Sequence, residues 1–551
     1  MNMLHKKLIR DLKSAKWQFA ALTLVLILGV AMFGAMYVGY YNLSGSLDLA
    51  YEKLDFADLT VKVTEAPPEV IGKVENLNGV EFAIGRTVGD ISLAKPQNDT
   101  AFVSGRIVSV PVEHRPEVND LLIKEGDYFE AGQNSGALVE KDFAEYYGIS
   151  PGDTVFPIIE GERIPIVVQG VVASPEYIWV AKSRQYLLPP RGSFGVLFLP
   201  EPQVRELLGI PTAVNELILR IEEDADIEAI TAQVEEIVAP YGVMDLIPRE
   251  EHPSNATIRL DIDGMKEMAV FVPVLFLLVT AIVMYVLLTR TVHAQRPQIG
   301  LMRAEGYSAG QIIRHYLGFS MIVGIVGAAL GSLFGHFMSR GLTTIYTDLI
   351  GIPYADTTPY LGLIVAGFFI GLAFAALAGI LPAWRAGRVR PAEAMRTPPP
   401  PIGRIPLIER IFPFLRRLPY LWRMPLRNIF RVPGRTVYTL IGIACAAALV
   451  FSAFGMMDSM EDMMSLQFEE VQAYDLKVVY SQPRTEAAIE EMRSWNGVKE
   501  VEPLLEIPSR LCYGEEEYTT MLIGLVHGSE LYNMIPASNS FSADSEGVLL
   551  A

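Results

Sequence analysis

The chain has 551 residues, 51% of them hydrophobic and 20% charged, with positive mean hydropathy, which excludes both a single ordinary domain and an all-soluble globule. Its net charge of −18 is concentrated in residues 42–264, where 38 Asp and Glu face 17 Lys and Arg, so nucleic acid is excluded as a partner of that region by phosphate repulsion. Two cysteines, one in an apolar run (Cys445) and one in a polar segment (Cys512), exclude a disulfide scaffold.

Residues 1–16 carry Lys6, Lys7, Arg10, Lys13 and Lys16 ahead of a first apolar run, 17–41. That run exceeds the about 7–15 residues of a signal-peptide core and lacks a small-x-small cleavage site, so it reads as an uncleaved membrane anchor. Residues 42–264 read as an acidic α+β domain. Its strands are expected at 164–172 and 196–199, its amphipathic helix at 227–238, and its turns at 150–153 and 188–192. Residues 255–266 lead without a strong breaker into a second apolar run, 268–289, which predicts an outward stalk; Pro273 predicts a kink.

Further apolar runs span 317–338, 360–384 and 436–457, making five long enough to cross a bilayer. Gly327, Gly331 and Gly335 recur every four residues in the third run, and Gly367 and Gly371 in the fourth, the spacing that lets membrane helices approach closely. His336 is expected at an interfacial position near the outward end of its helix. Segment 385–435 holds 12 arginines against Glu393 and Glu409, and Pro398–Pro401 marks a linker. The positive charge therefore sits before the first run, between the second and third, and between the fourth and fifth. By the positive-inside rule these segments face the cytoplasm, whereas 42–264, 339–359 and the tail after Asp458 face outward.

A repeat runs through this layout. Arg10-Asp11-Leu12 matches Arg427-Asn428-Ile429, and Asp58-Leu59 matches Asp475-Leu476, each 417 positions on; after one inserted residue Asn78-Gly79-Val80 matches Asn496-Gly497-Val498. Two copies of one unit are implied, the second stopping near Gly547–Ala551 inside its outer domain. A complete chain is expected to have about eight membrane helices and roughly 230–260 more residues.

Between the second and third runs lies Arg296-Pro297-Gln298-Ile299-Gly300-Leu301-Met302-Arg303-Ala304-Glu305-Gly306-Tyr307-Ser308. It resembles the segment that couples FtsX/MacB-like ABC transporter permeases (the two-unit form, LolC/LolE-like superfamily) to their ATPase. Residues 381–396 resemble the segment closing such a unit, and 424–431 the opening of another. Gln298 and Glu305 depart from the family pattern, which is more often acidic at the first and apolar at the second. The residues themselves allow a short amphipathic segment whose apolar Ile299, Leu301 and Met302 enter a partner groove while its arginines meet acids there. The resemblance implies a coupling loop of Arg296, Gln298, Ile299, Gly300, Leu301, Arg303, Ala304 and Gly306.

Other chemistry is missing from the sequence. No G-x-x-x-x-G-K-[ST] binds phosphate, and no H-E-x-x-H or G-x-S-x-G supplies a catalytic centre. Asp224, Asp226, Asp261 and Asp263 read as solvated surface rather than a calcium site. The chain is therefore expected to be a polytopic α-helical membrane protein with α+β extracytoplasmic domains in the cell membrane. Its divisions are a cytoplasmic 1–16, a helix 17–41, an outer domain 42–264, an FtsX-like membrane unit 265–396, a linker 397–435, a helix 436–457 and an incomplete second outer domain 458–551. No catalytic, cofactor or metal site of its own is expected, and the resemblance implies that ATP and Mg belong to an ABC ATPase partner acting as a dimer. The other expected partners are membrane lipid and an adaptor or extracytoplasmic protein, with no nucleic acid. The resemblance implies mechanical export or release of a lipid, lipoprotein, peptide or drug; the alternative is a non-transporting complex that regulates an outer hydrolase or sensor kinase.

Overall fold

The computed structural model describes residues 3–14, 16–95, 98–181, 191–210, 212–391, 419 and 433–533, except 479, 481–483, 514–515 and 527. The motifs at 424–431 and 547–551, the end of 381–396, the linker prolines and part of the 188–192 turn lie outside them. Contacts divide the chain into two units, Met1–Gly442 and Ile443–Ala551.

In the first unit the helices are α1 Met3–Ser14, α2 Lys16–Phe33, α3 Gly39–Lys53, α4 Glu69–Glu75, α5 Lys141–Tyr147, α6 Glu201–Leu208 and α7 Ile227–Val238. They continue with α8 Pro253–Ala294, α9 Arg296–Ala304, α10 Ala309–Ile350 and α11 Leu361–Gly387. A π-helical turn at Gly34–Val38 joins α2 to α3, so the first membrane helix runs on to Lys53. At about 1.5 Å per residue, the 42 residues of α8 or α10 reach about 63 Å, twice the about 30 Å of a bilayer core. Both helices therefore project well beyond the apolar runs that signalled them. Ser308 and Gln311 form a capping box at the start of α10, and Gly351, in the left-handed region at φ 92°, stops it.

The outer domain is built on β1 Leu59–Ala66, β2 Val80–Arg86, β3 Val88–Lys95, β4 Asn98–Val110, β5 Leu122–Gly126, β6 Ala137–Glu140 and β7 Thr154–Val155. These are followed by β8 Pro157–Ile159, β9 Glu162–Arg163, β10 Ile166–Ala173, β11 Phe194–Pro200, β12 Val214–Ile221 and β13 Val243–Pro248. The antiparallel sheet β13-β1-β12-β2 with α4 and α7 is a split β-α-β pair of ferredoxin-like order. Leu59, Val61, Leu217 and Leu219 on its inner face pack against Val70, Val74, Ile230 and Val234 of those helices. Everything from β3 to α6 is an insertion between its second and third strands. The inserted lobe is a mixed nine-stranded sheet with apolar cores on both faces.

One ion cluster joins the two lobes. From β2, Arg86 donates Nε to Glu216 of β12 at 2.6 Å, and Nη1 and Nη2 to Glu176, in the loop after β10, at 2.8 and 2.5 Å. All three side chains are at most 8% exposed. Burial alone would lower the Arg86 pKa, but Glu176 and Glu216 raise it overall, holding the guanidinium charged. Beside it a polar cavity of about 20 Å³ is lined by Lys62, Arg106 and His252 among others. Burial pushes His252 down to about 3, so it stays neutral at the first residue before α8.

The second unit takes in most of α12 Pro433–Ser465, then α13 Glu486–Arg493, β14 Leu505–Tyr513 and β15 Glu516–Gly524. The repeat is conformational as well as sequential. Gly79 (φ 93°) has its counterpart in Gly497 (φ 96°) 418 positions on, α4 in α13 at an offset of 417, and the β3–β4 hairpin in β14–β15.

Candidate functional site

The short helix α9 lies between the two longest helices, and its fixing residues explain why it holds its place. Pro297 suits the first helical turn, where its missing N–H costs nothing. Ile299 and Met302, three residues apart on one face, enter the core with Ile312, Tyr316, Ala383 and Ala386. Tyr316 donates its hydroxyl to Gln295 Oε1 at 2.7 Å, tying α10 to the residue just before α9. Arg303 donates Nη1 to the Tyr307 carbonyl at 3.2 Å and closes the turn at its other end. At α11, Arg385 donates to the Tyr285 hydroxyl of α8 at 2.8 Å. The helix is thus a rigid foot shared by α8, α10 and α11.

This corrects the expected contact face. Ile299, Gly300 and Met302 are buried in the chain's own core, so they are not free to enter a partner groove. Leu301 lies about 200° around the helix from Ile299 at 100° per residue, and is 51% exposed. With Pro297, Gln298, Ala304, Glu305 and Gly306 it forms the outward face. Arg296 and Arg303 are half-buried, the latter bonded within the loop. Gly306 touches nothing through a would-be Cβ, but its φ of 97° lies in the left-handed region. Gly306→Val is therefore expected to cost about 1–2 kcal/mol through backbone strain alone, measured by thermal melting in detergent, whereas Gly310→Ala, in open space within α10, costs nothing.

The five packing glycines all lie at helix contacts. A Cβ on Gly327 would meet Leu26 at 2.9 Å, on Gly331 the Ile27 carbonyl at 3.0 Å, and on Gly335 the Ala31 carbonyl at 2.9 Å. Gly371 faces Val30 and Ala328, and Gly367 faces Phe33. His336 is half-buried, with its Nδ1 enclosed.

At the other end, α3, α8 and α10 form a stalk into the outer domain. Leu43, Leu47, Ile258, Ile262 and Ile350 share a core with Phe56 and Ile178. Tyr346 donates to Asp261 at 2.5 Å, Ser46 Oγ accepts from the Asp356 amide at 2.8 Å, and Arg259 pairs with Asp48. Arg249 pairs with Asp58 at 2.6 Å and donates to the Phe56 and Ala57 carbonyls, clamping the root of α8 to the start of β1. Asp261 and Asp226, expected as plain solvated surface, have structural partners. The second caps α7 by accepting from the Glu228 and Ala229 amides at 3.1 and 3.2 Å. Among the described residues no group of three or more His, Cys, Asp or Glu could hold a metal.

Comparison with known proteins places this geometry. Residues 270–391, covering most of α8 and all of α9, α10 and α11, match the FtsX-like permease C-terminal family. An uncharacterized ABC transporter permease protein of Mycobacterium tuberculosis is 22% identical over 267 residues, 48% of this chain and 29% of its own length. The macrolide export ATP-binding/permease protein MacB of Syntrophobacter fumaroxidans is 24% identical over 212 residues, 36% of this chain and 29% of its own. The chain thus spans about three-tenths of the curated relatives it matches. Among solved structures, the periplasmic region of MacB from Actinobacillus actinomycetemcomitans aligns over 39% of this chain and 96% of that one, at 13% identity and a TM-score of 0.26. The extracellular domain of the Gram-positive transporter YknZ aligns over 34% and 99%, at 14% identity and 0.24.

Proposed function

Starting from an FtsX-like permease domain in a chain homologous to ABC transporter permeases, we propose that this protein is the permease subunit of an ABC complex whose ATPase is a separate polypeptide, binding ATP and Mg and acting as a dimer. The observation that carries the reading is α9: a helix rigidly seated on three membrane helices, with a compact outward face at the end opposite the acidic domain. A partner that pushes on that face moves α8, α10 and α11 as a body. The same α8 and α10, with α3, carry the displacement into the outer domain through the stalk core. The positive charge near α1, α9 and the end of α11 supports placing that end in the cytoplasm and the outer domain outside the membrane. The work done there is the movement or release of a lipid, lipoprotein, peptide or drug, with an adaptor or other extracytoplasmic partner as receiver.

The coupling contact is then made by Leu301 and Gln298, with Ala304 and the Gly306 turn, while Ile299, Gly300, Arg296 and Arg303 hold the foot in shape. Leu301→Asp is expected to abolish co-purification with the ATPase while leaving the thermal melt of the permease within about 0.5 kcal/mol, as for an exposed site. Met302→Asp, by contrast, buries a charge and loses the fold. Retained ATPase capture by Leu301→Asp overturns this assignment of the face, and failure of the unaltered chain to capture any ATPase overturns the reading as a whole.

A further inference from the structure

The N-terminal helix α1 has two faces, and among the described residues only one is packed. Leu8 and Leu12 pack into the membrane-helix core, Leu8 lying against Gly318 of α10. Asp11 pairs with Lys7 at 2.5 Å and lies 3.9 Å from His315 Nε2, so the acid of this helix is turned inward and compensated. At 100° per residue Lys6, Ile9, Arg10 and Lys13 fall within an arc of about 100° on the opposite side, and all four are exposed. Lys16 and Trp17 continue the exposed surface where α2 begins. The Lys16 ammonium lies 5.7 Å from the indole, which is 80% exposed at the very start of a membrane span.

We infer that this outward face of α1 is a docking surface for the anionic headgroups of the membrane in which α2 is embedded. The chemistry is set by position and charge. The helix ends one residue before a membrane span, so its free side lies at headgroup depth rather than in bulk water. Four cations without an acid on that face suit phosphate, and Ile9 with Trp17 supplies the apolar fringe that such helices bury at the acyl boundary. Contact with α10 through Leu8 and Asp11 carries the consequence inward, because only four residues separate α9 from α10. Lipid charge then biases the seating of the foot on which the proposed ATPase acts. The docking itself does not depend on that functional reading.

The test uses the full chain in nanodiscs, with Cys445→Ser and Cys512→Ser and an environment-sensitive label on Ile9→Cys. In discs containing about a third phosphatidylglycerol, quenching of the label by neutral acrylamide is expected to fall about threefold relative to pure phosphatidylcholine. The difference should vanish in molar salt, where the Debye length is about 3 Å, a control needing no further variant. It should also vanish in K6Q/R10Q/K13Q/K16Q and survive in K6R/K13R/K16R. Equal quenching in both lipids, a lipid difference that persists in molar salt or in the glutamine variant, or protection that arises only when an ATPase is added would each overturn the inference.

Discussion

Replacing Arg86 with methionine is expected to lower the stability of the outer domain by about 3–5 kcal/mol. The substitution roughly keeps the volume of the side chain, so little of the loss comes from a cavity. What it removes is, among the described residues, the charge that directly bonds both Glu176 and Glu216, two carboxylates that are 2% and 6% exposed and less than one residue length from the same guanidinium. Left unpaired, each must either stay ionised in a poor solvent or take up a proton, and both routes cost free energy. The loss is also non-local, since Arg86 belongs to the ferredoxin-like sheet and Glu176 to the inserted lobe. Glu176→Gln alone leaves the Arg86–Glu216 pair and is expected to cost less. The triple variant R86M/E176Q/E216Q, with no buried charge left to compensate, should recover at least about half of the loss. Urea melts of the full chain read this directly through Trp179, three residues from Glu176, once the other four of its five tryptophans are changed to phenylalanine. A loss below about 1 kcal/mol for Arg86→Met would show that the cluster is solvated or redundant.

That cluster also marks the limit of what the sequence could disclose. Arg86 and its partners are 90 and 130 residues apart, with no local periodicity linking them, and only the closure of β2 beside β12 and the loop after β10 brings them together. Local signals fared differently. The amphipathic pattern over 227–238 coincides with α7, because a buried stripe of Ile230, Val234 and Val238 opposite acids is a property of the segment itself. The apolar runs located five membrane-length helices for the same reason, since a bilayer demands them residue by residue. Their lengths were underestimated where helices leave the membrane and become amphipathic. Yet Leu43, Leu47, Ala50 and Tyr51 already stood at helical spacing among Asp48, Glu52 and Lys53, and Ser308 with Gln311 already formed a capping box. For residues 296–308, residue types pointed to a short amphipathic segment. Which apolar side chains turned outward was not legible, because a nine-residue helix with Ile299, Leu301 and Met302 offers two faces. The choice depends on Tyr316 in the next helix and on Ala383, 81 residues beyond Met302.

The second large effect lies in the membrane, where adding one methyl group to Gly335 is expected to separate two helices. Alanine in place of glycine in an exposed helix interior ordinarily gains about 1 kcal/mol from the reduced entropy of the unfolded backbone. At Gly341, where a Cβ meets nothing within 4 Å, Gly341→Ala should show that gain. At Gly335 the new carbon would lie 2.9 Å from the Ala31 carbonyl oxygen and 3.1 Å from the Cα atoms of Ala31 and Gly34. These are backbone atoms and cannot rotate aside, so α10 must move away from α2, and the crossing loses dispersion contacts on both sides. Gly335→Ala is therefore expected to cost about 1–3 kcal/mol, reversing the sign seen at Gly341. Gly331→Ala should behave alike against the Ile27 carbonyl, whereas Gly327→Ala meets only the Leu26 side chain, which can shift, and should be milder. Unfolding of the full chain in mixed micelles with increasing SDS, followed by far-UV circular dichroism, gives the four values on one scale. The ordering Gly341, then Gly327, then Gly331 and Gly335 follows from the hardness of what each methyl would strike. A Gly335→Ala chain as stable as Gly341→Ala would mean that α2 and α10 do not cross at these glycines.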